Sequence, residues 1–309
     1  MTWVNQNDIA SVKNESNSNG LVMSREGQSV VHPSPAPTTS EITELADVYF
    51  FRPLGLVLAR LANKLRMTPT QVTAVGAVIG VVGGAMLYFE SLGLIAFALL
   101  IVHGVVDSAD GQLARMTDRV SEFGRVLDGA SGYVTHVSIY LAIAGGVSQR
   151  SGNLSILLWL FPAGIANVIQ AQMYEYFRPL YVQIVEKGQI SQIRPAAVPP
   201  WIRWLYRGYL VAQRSLTGLH PRVEARVSMR AVGGCIQEND RIRYRRCFYR
   251  ITRAWGLLGD NTRFYIIGLL ACVHRTDLFF AIVFGPMNLV LIVLWFWQRQ
   301  ADHRFLATD

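Results

Sequence analysis

Six apolar stretches leave this chain few ways to fold: Val72 to Phe89, Gly93 to Val106, Val126 to Gly146, Leu154 to Ala171, Phe264 to Val273 and Phe279 to Trp297. A helix needs about 20 mainly apolar residues to cross about 30 Å of hydrocarbon. The fifth stretch is the shortest for that purpose. With 51% hydrophobic and 16% charged residues and a positive mean hydropathy, the 309-residue chain is too apolar for a soluble domain of its size. The expected fold class is an all-α integral membrane protein with six transmembrane helices.

Before the first stretch, DVYFFRPLGLVLARLANKL (Asp47 to Leu65) repeats apolar residues at helical spacing with Arg52, Arg60 and Lys64 opposite. That pattern predicts an amphipathic helix in the membrane interface, over residues 46–66. Residues 1–45 are rich in Ser, Asn, Pro and Thr and read as a disordered tail, with no basic and apolar leader pattern of a cleaved signal. Residues 67–173 hold the first four spans, 174–263 a basic insert, and 264–309 the last two spans. Arg115, Arg119 and Arg125 lie between spans two and three, and many arginines lie between spans four and five; the opposite loops carry little more than Arg150 and Arg275. By the positive-inside rule both termini and the insert face the cytoplasm.

The formal net charge of +8 raises nucleic acid or anionic lipid as partners. In the insert, IRWLYRGYLVAQR and DRIRYRRCFYRITRAW interleave basic and aromatic residues at helix-like spacing, which suits lipid headgroups. No RNA-binding motif accompanies them, so membrane lipids are the expected partner and nucleic acid is not. Cys235, Cys247 and Cys272 are odd in number and too far apart for a zinc motif, which predicts free thiols.

The charged residues of greatest interest occupy DSADGQLARMTDRVSEFGRVLDGASG, Asp107 to Gly132. Asp107 and Asp110 are three residues apart, so both carboxylates leave one face of the second span. A short turn brings Asp128, at the start of the third span, alongside them. Carboxylates beside hydrocarbon need compensation. Either Arg115, Arg119 and Arg125 supply it in an ion network, or a divalent cation does, and hard oxygen ligands suit Mg²⁺ or Mn²⁺. Gly111 and Ala114 favour the second option, because glycine in a helix costs about 1 kcal/mol relative to alanine and more plausibly leaves room for a ligand. Arg115 then grips phosphate oxygens.

These residues, Asp107, Asp110, Gly111, Ala114, Arg115, Gly124 and Asp128, resemble the signature of the CDP-alcohol phosphatidyltransferase family, D-x2-D-G-x2-A-R-x8-G-x3-D-x3-D, at seven of its eight fixed positions. MTPTQVT, Met67 to Thr73, is similar to the T-P-N-x-x-T segment that opens the family's first span. The resemblance implies six transmembrane helices, a homodimer and a polar cavity open to the cytoplasm. It implies Mg²⁺ or Mn²⁺ held by Asp107, Asp110 and Asp128, a nucleotide against Gly111, Ala114 and Gly124, and phosphate contacts from Arg115. The expected partners are a CDP-linked lipid donor and a hydroxyl acceptor, with release of CMP.

The family's eighth position is an aspartate that acts as metal ligand and proposed base, and this chain has Gly132 there. One helical turn beyond, His136 lies on nearly the same face about 6 Å deeper, and side chains lean toward the helix N-terminus, so His136 is the candidate base. His103 sits four residues before Asp107 and leans away. Asp128 acting as base, a silent relative that binds nucleotide or lipid, and a different headgroup donor are the alternatives. Arg119 and Arg125 are candidate acceptor or phosphate contacts, with Asp118 and Glu122 as second choices. The polar belts Gln170, Gln172, Tyr174, Glu175 and Arg178, and Asp260, Asn261 and Arg263, are candidate headgroup contacts.

Overall fold

The structure is a computed structural model that describes residues 41–119, 122–189, 211 and 213–307, with the side chains of residues 122, 123 and 125 outside that set. The expected tail over 1–40 and most of IRWLYRGYLVAQR lie outside the described residues. Among those described, the chain is helical throughout: a π-helical turn Asp47–Phe51, then α1 Arg52–Lys64, α2 Pro69–Met86, α3 Gly93–Met116, α4 Glu122–Ser151 and α5 Ile156–Tyr181. There follow α6 His220–Arg230, α7 Glu238–Trp255, α8 Asp260–Cys272, α9 Phe279–Phe284 and α10 Pro286–Ala307.

Four helical segments are long and apolar enough to cross a membrane: Pro69–Met86, Glu90–Met116, Ile156–Glu186 and Thr276–Ala307. Of the other two expected spans, α4 is long but its apolar run is diluted by Gly, Ser, Thr, Tyr and His, and α8 has 13 residues, about 20 Å of helix. The last stretch divides at Gly285, because Pro286 has no N–H to continue the ladder and instead starts α10.

Local chemistry explains where α2 begins. Thr68 caps it, its hydroxyl accepting from the Gln71 N–H at 3.3 Å, while the Gln71 side chain accepts from the Thr68 N–H at 2.9 Å, and Pro69 occupies the first turn. α2 packs against both α3 and α4. At Gly80 an added Cβ would collide with Thr135 Oγ1 on α4 and lie 2.9 Å from His103 Nδ1 on α3. We therefore expect Gly80→Leu to push the three helices apart and lower stability by about 1–3 kcal/mol. The thermal midpoint of the detergent-solubilised protein measures this, and an unchanged midpoint would contradict the close approach.

Two ends of the bundle are distinguishable by their polar contacts. At one, Arg150 ends α4 by donating to the Tyr88 carbonyl at 2.9 Å and pairing with Glu90 at 3.3 Å. At the other, the N-terminus of α2 meets the C-terminus of α3 and the N-terminus of α4. There too, residues 41–47 are tied down: Glu41 pairs with Arg245 at 2.6 Å and accepts from the Tyr181 hydroxyl, and Asn261 donates to Glu44 at 2.9 Å and Asp47 at 3.2 Å. The hydrogen bond from Arg245 holds the Glu41 carboxyl below its ordinary range. Composition assigned residues 41–45 to the tail; these partners, distant in sequence, anchor them instead.

The insert also departs from expectation. α5 continues past residue 174 to Tyr181, and α7 packs on α5 and α10. Tyr244, Phe248, Ile251 and Trp255 recur at helical spacing and are buried, with Trp255 stacked on Phe177 at 5.0 Å. Of the aromatics expected among headgroups, Tyr244, Phe248 and Trp255 therefore build the core, while Arg246, Arg250 and Arg253 stay exposed. Within this half, buried His220 bridges three helices: its Nδ1–H donates to Asp302 at 2.8 Å and its Nε2 accepts from the Tyr244 hydroxyl at 2.9 Å. Gln298 donates to the same Asp302 oxygen at 3.0 Å and accepts from the Trp255 indole at 3.2 Å. Burial keeps the Tyr244 phenol well above its ordinary pKa, so it remains a donor.

Candidate active site

α3 carries Asp107, Asp110, Gly111, Ala114 and Arg115 on its last turns, and the way it ends decides what they meet. The Thr117 hydroxyl donates to the Leu113 carbonyl at 2.8 Å, Asp118 takes the left-handed conformation (φ +52°), and the Arg119 N–H bonds the Ala114 carbonyl at 3.0 Å. This is a Schellman-type stop with aspartate where glycine is commoner. The chain turns back, and α4 brings Asp128 up beside α3.

Oxygens of Asp107, Asp110 and Asp128 all lie within 4.8 Å of one another. Asp110 is 6% exposed, whereas Asp107 and Asp128 are open. The Thr73 hydroxyl, from the first turn of α2, lies 2.6 Å from Asp110 Oδ2 and 3.0 Å from the Pro69 carbonyl, its one proton shared between them. Thr73 thereby orients one acid of the cluster.

Three carboxylates at this separation repel one another by about 3–4 kcal/mol per pair at an effective dielectric near 20. No described arginine or lysine forms an ion pair with any of them. The Arg115 guanidinium lies back over Gly111, 3.5 Å from where a Cβ would stand, and Arg119 is exposed on the turn. Gly124 is half-buried in the first turn of α4, and the Arg125 and Glu122 side chains lie outside the described set. Neither Arg115 nor Arg119 forms an ion pair with these acids, and an all-oxygen donor set fits a hard divalent cation.

Gly132 lies one turn beyond Asp128 on α4, and a Cβ there would meet nothing within 4 Å. His136 Nδ1 lies 2.9 Å from the Gly132 carbonyl. Only a donor satisfies that oxygen, so Nδ1 carries a proton. Nε2 is buried with no hydrogen-bond partner, 3.5 Å from Asp260 Oδ1 on α8. The Phe264 ring, one turn along α8, stacks on the imidazole at 5.9 Å and 20°. His103 differs: it is buried, bonds the Gly76 carbonyl at 2.8 Å and braces α2 against α3.

The expected headgroup belts are mostly engaged in structure. Buried Gln170 donates to Asn288 at 2.9 Å and accepts from buried Arg263 at 3.3 Å; Tyr174 and Arg178 hold Glu44 and Asp47. Asp260 is different, since it is half-exposed, accepts from Arg263 at 3.0 Å and lies within electrostatic reach of Asp107. Thr73 closes the Met67–Thr73 segment and Asp260 belongs to an expected headgroup belt, but nothing local pairs Thr73 with Asp110 or Asp260 with His136.

Residues 66–197 match the family model described as CDP-alcohol phosphatidyltransferase, the last eight of them outside the described residues. That segment of the chain is similar to CDP-alcohol phosphatidyltransferases. An archaetidylinositol phosphate synthase of Pyrococcus horikoshii is 35% identical over 95 residues, 31% of this chain and 50% of that protein. An uncharacterized protein of Aquifex aeolicus is 37% identical over 71 residues, 23% of this chain and 36% of that protein. The chain thus spans half or less of the length of these curated relatives. No solved structure matches it significantly. The acids, Thr73 and His136 lie inside the matched segment; Asp260 and Phe264 lie beyond it.

Proposed function

We propose that this chain is a membrane phosphotransferase of phospholipid biosynthesis, moving a substituted phosphate group from a CDP-linked donor to a hydroxyl acceptor and releasing CMP. The observation that carries this reading is the convergence of Asp107, Asp110 and Asp128 within 4.8 Å, inside the matched segment and with no ion pair to a described arginine or lysine. These three would hold Mg²⁺ or Mn²⁺, which when bound neutralises charge on the donor's pyrophosphate. Gly111, Ala114 and Gly124 line the nucleotide, and Arg115 swings from Gly111 onto its phosphates. Arg119 and Arg125 contact acceptor or donor phosphate at the mouth of the site. His136 Nε2, 3.5 Å from Asp260 and without a hydrogen-bond partner, takes the acceptor's proton.

The arrangement in the membrane belongs to the same proposal. α1 lies in the interface, and α2, α3, α4, α5, α8 and the broken α9–α10 pair form six spans, with both termini and the acids on the cytoplasmic side by the arginine distribution. The working unit is a homodimer. Because the Pyrococcus relative is named for archaetidylinositol phosphate, a phosphorylated inositol is the first acceptor to try.

The purified protein in detergent or liposomes, given CDP-diacylglycerol and a panel of acceptors, is expected to release CMP with at least one of them. Release should require Mg²⁺ or Mn²⁺ and stop with EDTA. No CMP from any acceptor, with nucleotide still bound, would transfer support to a silent relative or another donor.

A further inference from the structure

The motif's vacant eighth position has a physical consequence on a different helix. Gly132 leaves open space where its side chain would stand, and one turn on along the same stripe of α4 is His136, whose Nδ1 bonds the Gly132 carbonyl and leaves Nε2. That atom is buried and unpartnered, and the group facing it is a carboxylate, Asp260 Oδ1 at 3.5 Å, contributed from beyond the matched domain. α8 supplies two supports one turn apart: Asp260 beside the nitrogen and Phe264 against the ring face. Arg263 fixes the carboxylate by donating to Oδ1 at 3.0 Å, and Arg263 is itself buried and bonded to the Leu258 carbonyl at 2.9 Å.

The exposures of the two side chains differ in a useful direction. That of His136 is 12% and that of Asp260 is 54%. A proton collected at the buried nitrogen therefore has a half-exposed carboxylate as its next stop before water. We propose that Asp260 is the positioning residue that completes the deprotonating group of this enzyme, forming with His136 a carboxylate–imidazole pair across α4 and α8 in place of the acid missing at Gly132.

This inference rests on the phosphotransferase reading above. In the step, the acceptor hydroxyl gives its proton to His136 Nε2 as its oxygen forms the new bond to phosphorus. The phosphoanhydride P–O bond breaks, its electron pair leaving on the phosphate oxygen of CMP. Asp260 stabilises the imidazolium, takes the proton and passes it to solvent. His136 touches the acceptor; Asp260 acts through His136.

The test uses the full chain and measures CMP release from CDP-diacylglycerol with the acceptor that supports wild-type turnover, alongside Mn²⁺ binding by electron paramagnetic resonance. His136→Ala should lower kcat at least about a hundredfold. Asp260→Asn, which still accepts from Arg263, should lower kcat about ten- to a hundredfold with KM for the donor nearly unchanged. Both variants should bind Mn²⁺ as wild type does. Gly132→Asp, sterically admissible, should restore turnover at least tenfold in either background, because it returns a carboxylate to the vacant position. Full activity in Asp260→Asn, or a loss that Gly132→Asp does not repair, overturns the inference while leaving the phosphotransferase reading in place. A wild-type protein without CMP release overturns both.

Discussion

Asp107→Asn is expected to abolish CMP release, by more than about a thousandfold in kcat/KM, and to weaken Mn²⁺ binding at least tenfold while helical content is preserved. The amide keeps the size of the side chain and removes the charge, so packing is spared and the cluster loses a hard oxygen ligand. Asp107 is open to the space between α3 and α4, which gives the substitution little to disturb besides the site. Substitution of Thr73 by Val should act on the same site more weakly, since it removes a 2.6 Å hydrogen bond to Asp110 and not a ligand; a ten- to hundredfold drop, about what a metal ligand's partner contributes, is expected. Steady-state CMP release and Mn²⁺ titration measure both, and Asp107→Asn retaining turnover would remove the acids from the mechanism.

Asp302→Ala carries the largest expected loss of stability, about 3–5 kcal/mol. Asp302 is 1% exposed and accepts from both His220 and Gln298, so removing it leaves two buried donors without an acceptor. His220 in turn links α6 to α7 through Tyr244, so the change loosens the contact of three helices. Tyr244→Phe, which removes one hydroxyl and keeps the ring, should cost about 1–3 kcal/mol. Thermal unfolding followed by a thiol-reactive dye in a Cys235→Ser, Cys272→Ser background is one suitable assay, because those two thiols are exposed in the folded protein whereas Cys247 is half-buried on α7 and becomes accessible as that helix separates. Equal midpoints for Asp302→Ala and wild type would mean that the network contributes nothing to the fold.

Helical periodicity and motif spacing made the acids legible before any coordinates, because the relation of Asp107 to Asp110 is a local property of one helix and Asp128 returns across a short turn. The same locality applies to the apolar stretches and to the place of His136 one turn past Gly132. The aromatic residues of α7 were readable as one face of a helix, but not as a face turned inward: only α5 and α10, brought back from elsewhere in the chain, cover Tyr244, Phe248 and Trp255. Polar belts misled for a similar reason. Gln170 and Arg263 look available in a linear chain, and they are consumed by each other across 93 residues.

The sequence by itself thus determined the helical class, the membrane character and which side chains share a helical stripe, all of which follow from backbone geometry and the periodicity of apolar residues. Tertiary structure alone decided that Thr73 holds Asp110, that no described arginine neutralises the acids, that residues 41–47 are anchored, and that Asp260 faces His136. Each of those is a contact between distant segments, set by how α2, α3, α4 and α8 pack, and a single residue's spacing carries no information about which helix will stand opposite it.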